Sequence, residues 1–212
     1  MSKVFVNIGL SLDGCMAPDG MTIENWDRPE YKNWGAKWGA LMSWILKQQY
    51  FRENLGFGAG GETGPVNDML RATMERSGAC IMGKRMFEQG ERSWPEEAPF
   101  HTPVYVLTHE QRVPWVRPGG TTFYFCNDGA ERALESARES AGGRDIRISG
   151  GADVIQQYLN GGVVDELEMA LAPVVFGSGR RLFENLHEAL PQFRIDRVIN
   201  TPDATHLRYV RA

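Results

Sequence analysis

Two glycine-bearing strand-to-helix junctions, far apart along the chain, limit its possible folds more than any other feature. The first reads Ala79-Cys80-Ile81-Met82-Gly83-Lys84-Arg85-Met86-Phe87-Glu88, and the second Ile146-Arg147-Ile148-Ser149-Gly150-Gly151-Ala152-Asp153. In each, a short apolar run ends at glycine and passes straight into a helix-patterned segment. Such a junction leaves the first helical N–H groups without backbone partners and gathers the positive end of the helix dipole at one point. Glycine removes the Cβ that would block a close approach, so each junction can receive a phosphate. Two such sites, one carrying Lys84 and Arg85, suit the two ends of a dinucleotide. A nucleotide-cofactor enzyme is the leading expectation.

The pattern around the junctions is an alternation. Val4 to Leu10 is apolar on nearly every residue, as a strand covered on both faces would be. Asp13-Gly14 and Pro18-Asp19-Gly20 are turn signals, with Cys15 to Ala17 extended between them. Pro29 to Phe51 predicts a helix: Pro29 suits its first turn, and Trp34, Trp38, Leu41 and Ile45 follow helical spacing. A glycine-rich loop, Leu55 to Gly64, precedes a second helix from Pro65 to about Arg76. Strands are expected at Ala79–Met82, Val104–Thr108, Thr121–Phe125 and Asp145–Ser149. Helices are expected from Gly83 or Lys84 to about Gln89, from an Asp128 cap to near Gly142, and over Ala152–Asn160. Glu166–Pro173, Arg194–Asn200 and Thr205–Val210 then read as strands with no long helix between them. This order implies an open mixed sheet, parallel at its centre and antiparallel towards one edge, with helices on both faces. With 212 residues and no linker, repeat or low-complexity tract, one domain is expected.

The formal net charge of -4 offers no basic surplus for nucleic acid. Met1 to Val6 runs into a strand pattern without a signal-peptide layout, and no apolar stretch is long enough to span a bilayer. Cys15, Cys80 and Cys126 are scattered among apolar neighbours, so they read as small buried hydrophobes in a reducing cytoplasm. There is no C-x-x-C, and His101, His109, His187 and His206 lie in no metal-ligand or catalytic-triad pattern.

Val104 to His109 is a buried-looking strand ending in hydrogen-bonding side chains. Ligands gather at the carboxyl ends of strands in open α/β sheets, so Thr108, His109, Lys84 and Arg85 would face one side and clamp an extra phosphate. A merely solvated polar loop is the equal alternative. Gly56 to Gly61 matches G-x-G-x-x-G, but no strand precedes it and Gly64-Pro65 follows, so it reads as a hinge or lid loop. Trp26, Trp34, Trp38 and Trp44 form an aromatic stripe that either fills core or covers an apolar slot and excludes water. Asp68, near a helix start, is either a dipole partner or a carboxylate that orients or protonates a nitrogen heterocycle, with Glu62 the second candidate.

Taken in order, five segments resemble the dihydrofolate reductase-like superfamily, most closely the branch similar to the reductase domain of the riboflavin-biosynthesis deaminase/reductase. They are Ser11-Leu12-Asp13-Gly14, Ile81-Met82-Gly83-Lys84-Arg85, Leu107-Thr108-His109, Ser149-Gly150-Gly151, and Leu171-Ala172-Pro173-Val174-Val175-Phe176-Gly177-Ser178-Gly179 with Leu182-Phe183. The likeness covers nearly the whole chain except a Trp-rich helical insertion at about 24–63. It implies a three-layer α/β/α fold, NADPH as hydride donor, and often a homodimer. It also implies a cofactor site at Gly83, Lys84, Arg85, Met86, Leu107, Thr108, His109, Ser149, Gly150, Gly151, Ala152 and Asp153, with Gly150-Gly151 a cis peptide. The resemblance points to a stand-alone reductase of a pyrimidine or pterin, most like 5-amino-6-(5-phosphoribosylamino)uracil reductase. Dihydrofolate reduction, or nucleotide binding without efficient turnover, are the alternatives. The insertion is expected to form a lid beside the nicotinamide pocket, with Asp68 held more rigidly than Glu62 as the nearby carboxylate.

Overall fold

In the computed structural model, which describes residues 2–29, 32–187 and 192–212, β1 (Val4–Leu10) lies between parallel neighbours β7 (Asp145–Gly150) and β8 (Glu166–Leu171). β7 pairs in parallel with β3 (Ser77–Gly83), β3 with β4 (Pro103–Leu107), and β4 with β6 (Thr122–Cys126). Antiparallel strands close both ends: β11 (Thr205–Arg211) and β10 (Phe193–Asn200) beyond β8, and the short β5 (Trp115–Val116) beyond β6. The nine-stranded order is β10-β11-β8-β1-β7-β3-β4-β6-β5. Because the central strands are parallel, Leu10, Gly83, Leu107 and Gly150 all end at one carboxyl edge.

Side-chain alternation divides the sheet into two buried faces. Val4, Val6, Ile8, Ala79, Ile81, Ile146 and Ile148 share one core with α5 (Ala130–Ser140) and α6 (Ala152–Asn160, flanked by Gly151 and Gly161). The opposite face presents Phe5, Asn7 and Gly9 of β1 and Cys80 and Met82 of β3. It is covered by α3 (Pro65–Arg76), α4 (Lys84–Glu91) and the helices of the Trp-rich segment, α1 (Lys32–Leu46) and α2 (Gln49–Asn54). α3 buries Val66, Met69, Leu70 and Thr73, the i, i+3, i+4, i+7 stripe of an amphipathic helix. A separate two-stranded ribbon pairs β2 (Cys15–Pro18) with β9 (Gly179–Arg181).

Two expectations need correction, and two short strands had no expectation. The helix expected over 29–51 is broken after Leu46, its residues 30 and 31 lying outside the described residues. Gln48 is extended (φ -74, ψ 133), and the backbone bonds Gln49 N to Glu62 O and Glu62 N to Lys47 O draw the chain out of the helix. Asp128 does not cap α5; Gly129 occupies that position at φ 94, with no side-chain cap. The two-residue β5 and three-residue β9 are too short to leave a periodic signal. No helix among the described residues is long and apolar enough to cross a membrane.

Candidate active site

β3 and β7 are neighbours, so the two glycine junctions lie side by side. Gly83 is the N-cap of α4 and Gly151 that of α6, and neither helix start receives a side-chain cap. A Cβ built on Gly83 would stand 3.0 Å from Val154 Cγ2 and 3.7 Å from Gly151 N, so any larger residue would crowd the start of α6. A Cβ on Gly151 would meet open space. Met16 Cε and Met86 Sδ lie 3.3 and 3.4 Å from a Cβ built on Gly150, and the Gly150-Gly151 peptide is cis. The Ser149 hydroxyl, at the end of β7, is buried without a hydrogen-bond partner among the described residues. An orphaned hydroxyl and two uncapped helix starts fit a nucleotide laid across the carboxyl edge.

The next strand end extends this rim. Gly83 pairs with Leu107, which places Thr108 and His109 beside Lys84. Thr108 N donates to Cys126 O at 3.0 Å, its hydroxyl accepts from Glu110 N at 3.1 Å, and His109 is exposed. Lys84 is clasped by Glu110 and lies 3.5 Å from Glu88, and the Glu110 bond pushes its pKa up. Arg85 turns the other way, with its guanidinium 3.8 Å from Asp153 at the start of α6. All twelve residues expected to hold the cofactor therefore belong to β3–α4, β4 and β7–α6 ends that share one edge.

Asp13 ties two of the recognised motifs together. Its carboxylate accepts from Ser11 Oγ at 2.7 Å, Phe176 N at 3.1 Å and Gly177 N at 2.8 Å. The Ser11 hydroxyl first, and then the Phe176 N–H, hold its pKa down at about 2. Arg181 donates to the Asp13 carbonyl at 2.8 Å. These bonds fasten the β2–β9 ribbon, which lays Met16 on Gly150. This positioning role was missed in the sequence, although the S-x-D-G turn carries its signal.

α1 packs on the face shared by α4. Leu41 and Trp44 reach within 3.8 Å of a Cβ built on Gly9, next to the carboxyl edge. Trp38 packs with Cys15, Leu41, Ala172 and Phe176, while Trp26 and Trp34 have ring centroids 5.2 Å apart. Gln89 of α4 donates to Met21 O at 3.1 Å, joining the start of this segment to the first junction. Trp44 meets His206 edge-on at 4.7 Å, beside a cavity of about 10 Å³ also lined by Asn7, Met69 and Glu168. Among the described residues Trp44 Nε1 and both His206 ring nitrogens lack partners, and burial followed by the charge of Arg197 pulls the imidazole pKa down to about 4.

The candidate acids lie on the surface of this region. Asp68 is exposed in the first turn of α3, and Glu62 is exposed where Gln48 Nε2 donates to it at 3.1 Å. Glu168, a buried carboxylate lining the same cavity as Trp44, accepts from Thr73 Oγ1 at 3.0 Å and Asn7 Nδ2 at 3.2 Å. Among the described residues no group of His, Cys, Asp and Glu side chains is arranged to hold a metal ion.

A mostly parallel sheet with antiparallel closing strands and paired glycine junctions at one edge defines a dihydrofolate reductase-like α/β protein. The dihydrofolate reductase of Enterococcus faecalis, solved with NADP(H), shares the fold at a TM-score of 0.55 and 13% identity, over 99% of this chain and 96% of that one. The chain belongs to the RibD C-terminal domain family, which matches residues 2–207. A putative riboflavin biosynthesis protein from Shewanella sp. PV-4 is similar over 100% of this chain and 99% of its own, with TM-score 0.65 and 21% identity. YwjB, an uncharacterized protein of Bacillus subtilis, is 31% identical over 127 residues, covering 57% of this chain and 71% of the relative.

Proposed function

We propose that this chain is an NADPH-dependent reductase of a pyrimidine- or pterin-like heterocycle, of the 5-amino-6-(5-phosphoribosylamino)uracil type. The observation that carries the reading is the pair of uncapped, glycine-led helix starts beside the unpartnered Ser149 hydroxyl. Family membership and the riboflavin name of the Shewanella protein support the substrate class, and the NADP(H) bound by the Enterococcus enzyme supports the cofactor.

When bound, the cofactor supplies the hydride, and the protein positions and shields the reaction. The N–H groups at Gly83–Arg85 and Gly151–Asp153 take phosphates, flanked by Met86 and Ala152. Lys84, Leu107, Thr108 and His109 line the rim, where charge and hydrogen bonds suit a 2′-phosphate, while Arg85, turned towards Asp153, faces the phosphates between the junctions. Ser149 orients a polar ring atom next to Gly150. The α1 side chains exclude water, and Asp68, or else Glu62, supplies the proton to the heterocycle once the Trp-rich segment shifts. Residues 24–63 are read as an insertion in a single reductase domain. A homodimer is part of the same reading, with exposed Ile195 and Val198 on the outer strand β10 as apolar surface for a second copy. The compartment is a reducing cytoplasm, where the free Cys15, Cys80 and Cys126 remain thiols. No nucleic acid or membrane partner is proposed.

One observation favours a second reading, nucleotide binding without efficient turnover: Leu41 and Trp44 already occupy the surface of Gly9. Fluorescence titration with NADPH, followed by NADPH oxidation assays with the riboflavin intermediate and with dihydrofolate, separates the two. Binding with oxidation supports the reductase, binding alone supports the second reading, and failure to bind either nicotinamide cofactor removes both. Sedimentation velocity reads the oligomeric state.

A further inference from the structure

Among the described side chains of α1 only Leu41 and Trp44 are buried, so this helix is seated on the sheet at one place. Trp44 Nε1 lies 3.8 Å from a Cβ built on Gly9, and against the indole stands His206 of β11. The two rings meet edge-on, with centroids 4.7 Å apart and planes at 74°. Trp44 is 5% exposed and His206 4%, yet the indole N–H and both imidazole nitrogens have no partner among the described residues. Burial, and then the charge of Arg197, keep the imidazole neutral, so one ring nitrogen carries a hydrogen and the other a bare lone pair.

Buried polar groups are almost always hydrogen-bonded, so three orphaned atoms at one ring contact call for a partner. The indole needs an acceptor and the bare imidazole nitrogen needs a donor, and a water molecule supplies both from one oxygen. Both rings line a cavity of about 10 Å³, enough for one water molecule and too small for any larger ligand. Its lining is polar elsewhere too: Glu168 borders it, accepting from Thr73 and Asn7 with lone pairs to spare. A cavity of this size stays dry where its walls are apolar and holds water where about two to four polar partners converge. We propose that this cavity holds one internal water molecule, which accepts from Trp44 Nε1, donates to the bare nitrogen of His206 and to Glu168, and pins α1 to β11. The water fixes how the indole lies on Gly9, next to the carboxyl edge, whatever ligand that edge takes. The other His206 nitrogen keeps no partner among the described residues.

The test compares wild type with His206→Phe, which keeps a ring of similar size and removes both nitrogens, and with His206→Gln, whose amide still offers a donor and an acceptor. A high-resolution crystal structure of wild type should show a single density peak within hydrogen-bonding distance of Trp44 Nε1 and one His206 nitrogen. Oxygen-17 relaxation dispersion counts long-lived internal waters in solution. His206→Phe should lose one of them relative to wild type, and His206→Gln should keep it. Loss of the bridge should also speed hydrogen–deuterium exchange in Lys32–Leu46 of His206→Phe by about tenfold at pH 7.5, the change expected from one hydrogen bond. A dry cavity, with Trp44 Nε1 donating directly to a His206 nitrogen, overturns the proposal. So does an unchanged water count in folded His206→Phe. A lost water with wild-type exchange across α1 overturns the pin, because the water then only fills space. If His206→Phe does not fold, the wild-type density decides whether the water is there, and the exchange rates of His206→Gln, expected at the wild-type value, decide whether it pins α1: a tenfold rise in that variant while the water is retained overturns the pin.

Discussion

Lys84 and Arg85 are sequence neighbours that reach the carboxyl edge with different commitments. Lys84 is clasped by Glu110, whereas Arg85 is mostly exposed and only loosely paired with Asp153. A phosphate at Lys84 must displace a carboxylate, so Lys84→Ala should narrow the NADPH/NADH preference by less than the tenfold of an unopposed charge-assisted bond. Arg85→Ala should instead weaken both cofactors by about tenfold, because the bridging phosphates are common to them. Parallel titrations with NADPH and NADH check both outcomes; if neither variant changes either affinity, the phosphates lie elsewhere. His206 lends itself to a measurement of pH-dependent stability. Burial holds its pKa at about 4, below the 6.5 usual for a histidine, so the neutral ring is the form the fold accepts. Its stabilising contribution is complete above pH 6.5 and declines as pH falls towards 4, because the unfolded chain takes up the proton first. His206→Phe keeps an aromatic ring against Trp44 and removes two unpartnered nitrogens. It should gain about 1–2 kcal/mol on wild type between pH 7.5 and pH 5 in urea unfolding, a change the wild-type curve alone cannot mimic.

At the scale of elements, α1 combines core and cover. Leu41 and Trp44 are buried on the sheet, while Trp34 and Trp38 are only half-buried near the edge. Trp44→Ala should therefore cost about 3–5 kcal/mol of stability. Trp38→Ala, measured on folded protein, should lower substrate turnover by more than it lowers NADPH affinity if the segment closes the substrate slot. A Trp38 variant that is merely less stable, with unchanged kinetics, would return the whole stripe to the core. The stripe itself was readable, since Trp34, Trp38, Leu41 and Ile45 recur at helical spacing. Its interruption was not, because Gln48 is held by Glu62 from within the glycine-rich loop. The boundaries of α3 and α6 were readable for local reasons: Pro65 starts one helix, and glycines flank the other.

Across the whole molecule, the parallel centre follows from alternating strands and helices, and the antiparallel end follows from strands with no helix between them. The same alternation brings both glycine junctions to one edge. Long-range polar pairings leave no such pattern: Asp13 meets Phe176 and Gly177, and Arg181 reaches the Asp13 carbonyl only once β9 lies beside β2. The largest of these pairings lies at the opposite edge from the candidate site. Glu166, at the start of β8, accepts from Lys3 at 2.6 Å, Arg76 at 2.9 Å and Arg208 at 2.8 Å. Arg76 also pairs with Asp145 and Glu168 at 3.1 Å, so α3, β1, β7, β8 and β11 are fastened at one point. Burial alone would raise the Glu166 pKa, but the bonds from Lys3 and Arg208 and the charge of Arg76 hold it at about 2, below 4.5. Its contribution is therefore complete above pH 4.5 and lost as pH falls towards 2. Glu166→Gln leaves Arg76 and Arg208 short of a buried anion and should cost about 3–5 kcal/mol at pH 7. The loss should shrink below pH 4.5, where wild type loses the same interaction. Because this cluster and the glycine junctions occupy opposite ends of the parallel strands, NADPH affinity of the folded variant should remain at the wild-type value; a parallel loss of affinity would show that the two edges are coupled through β1 and β7.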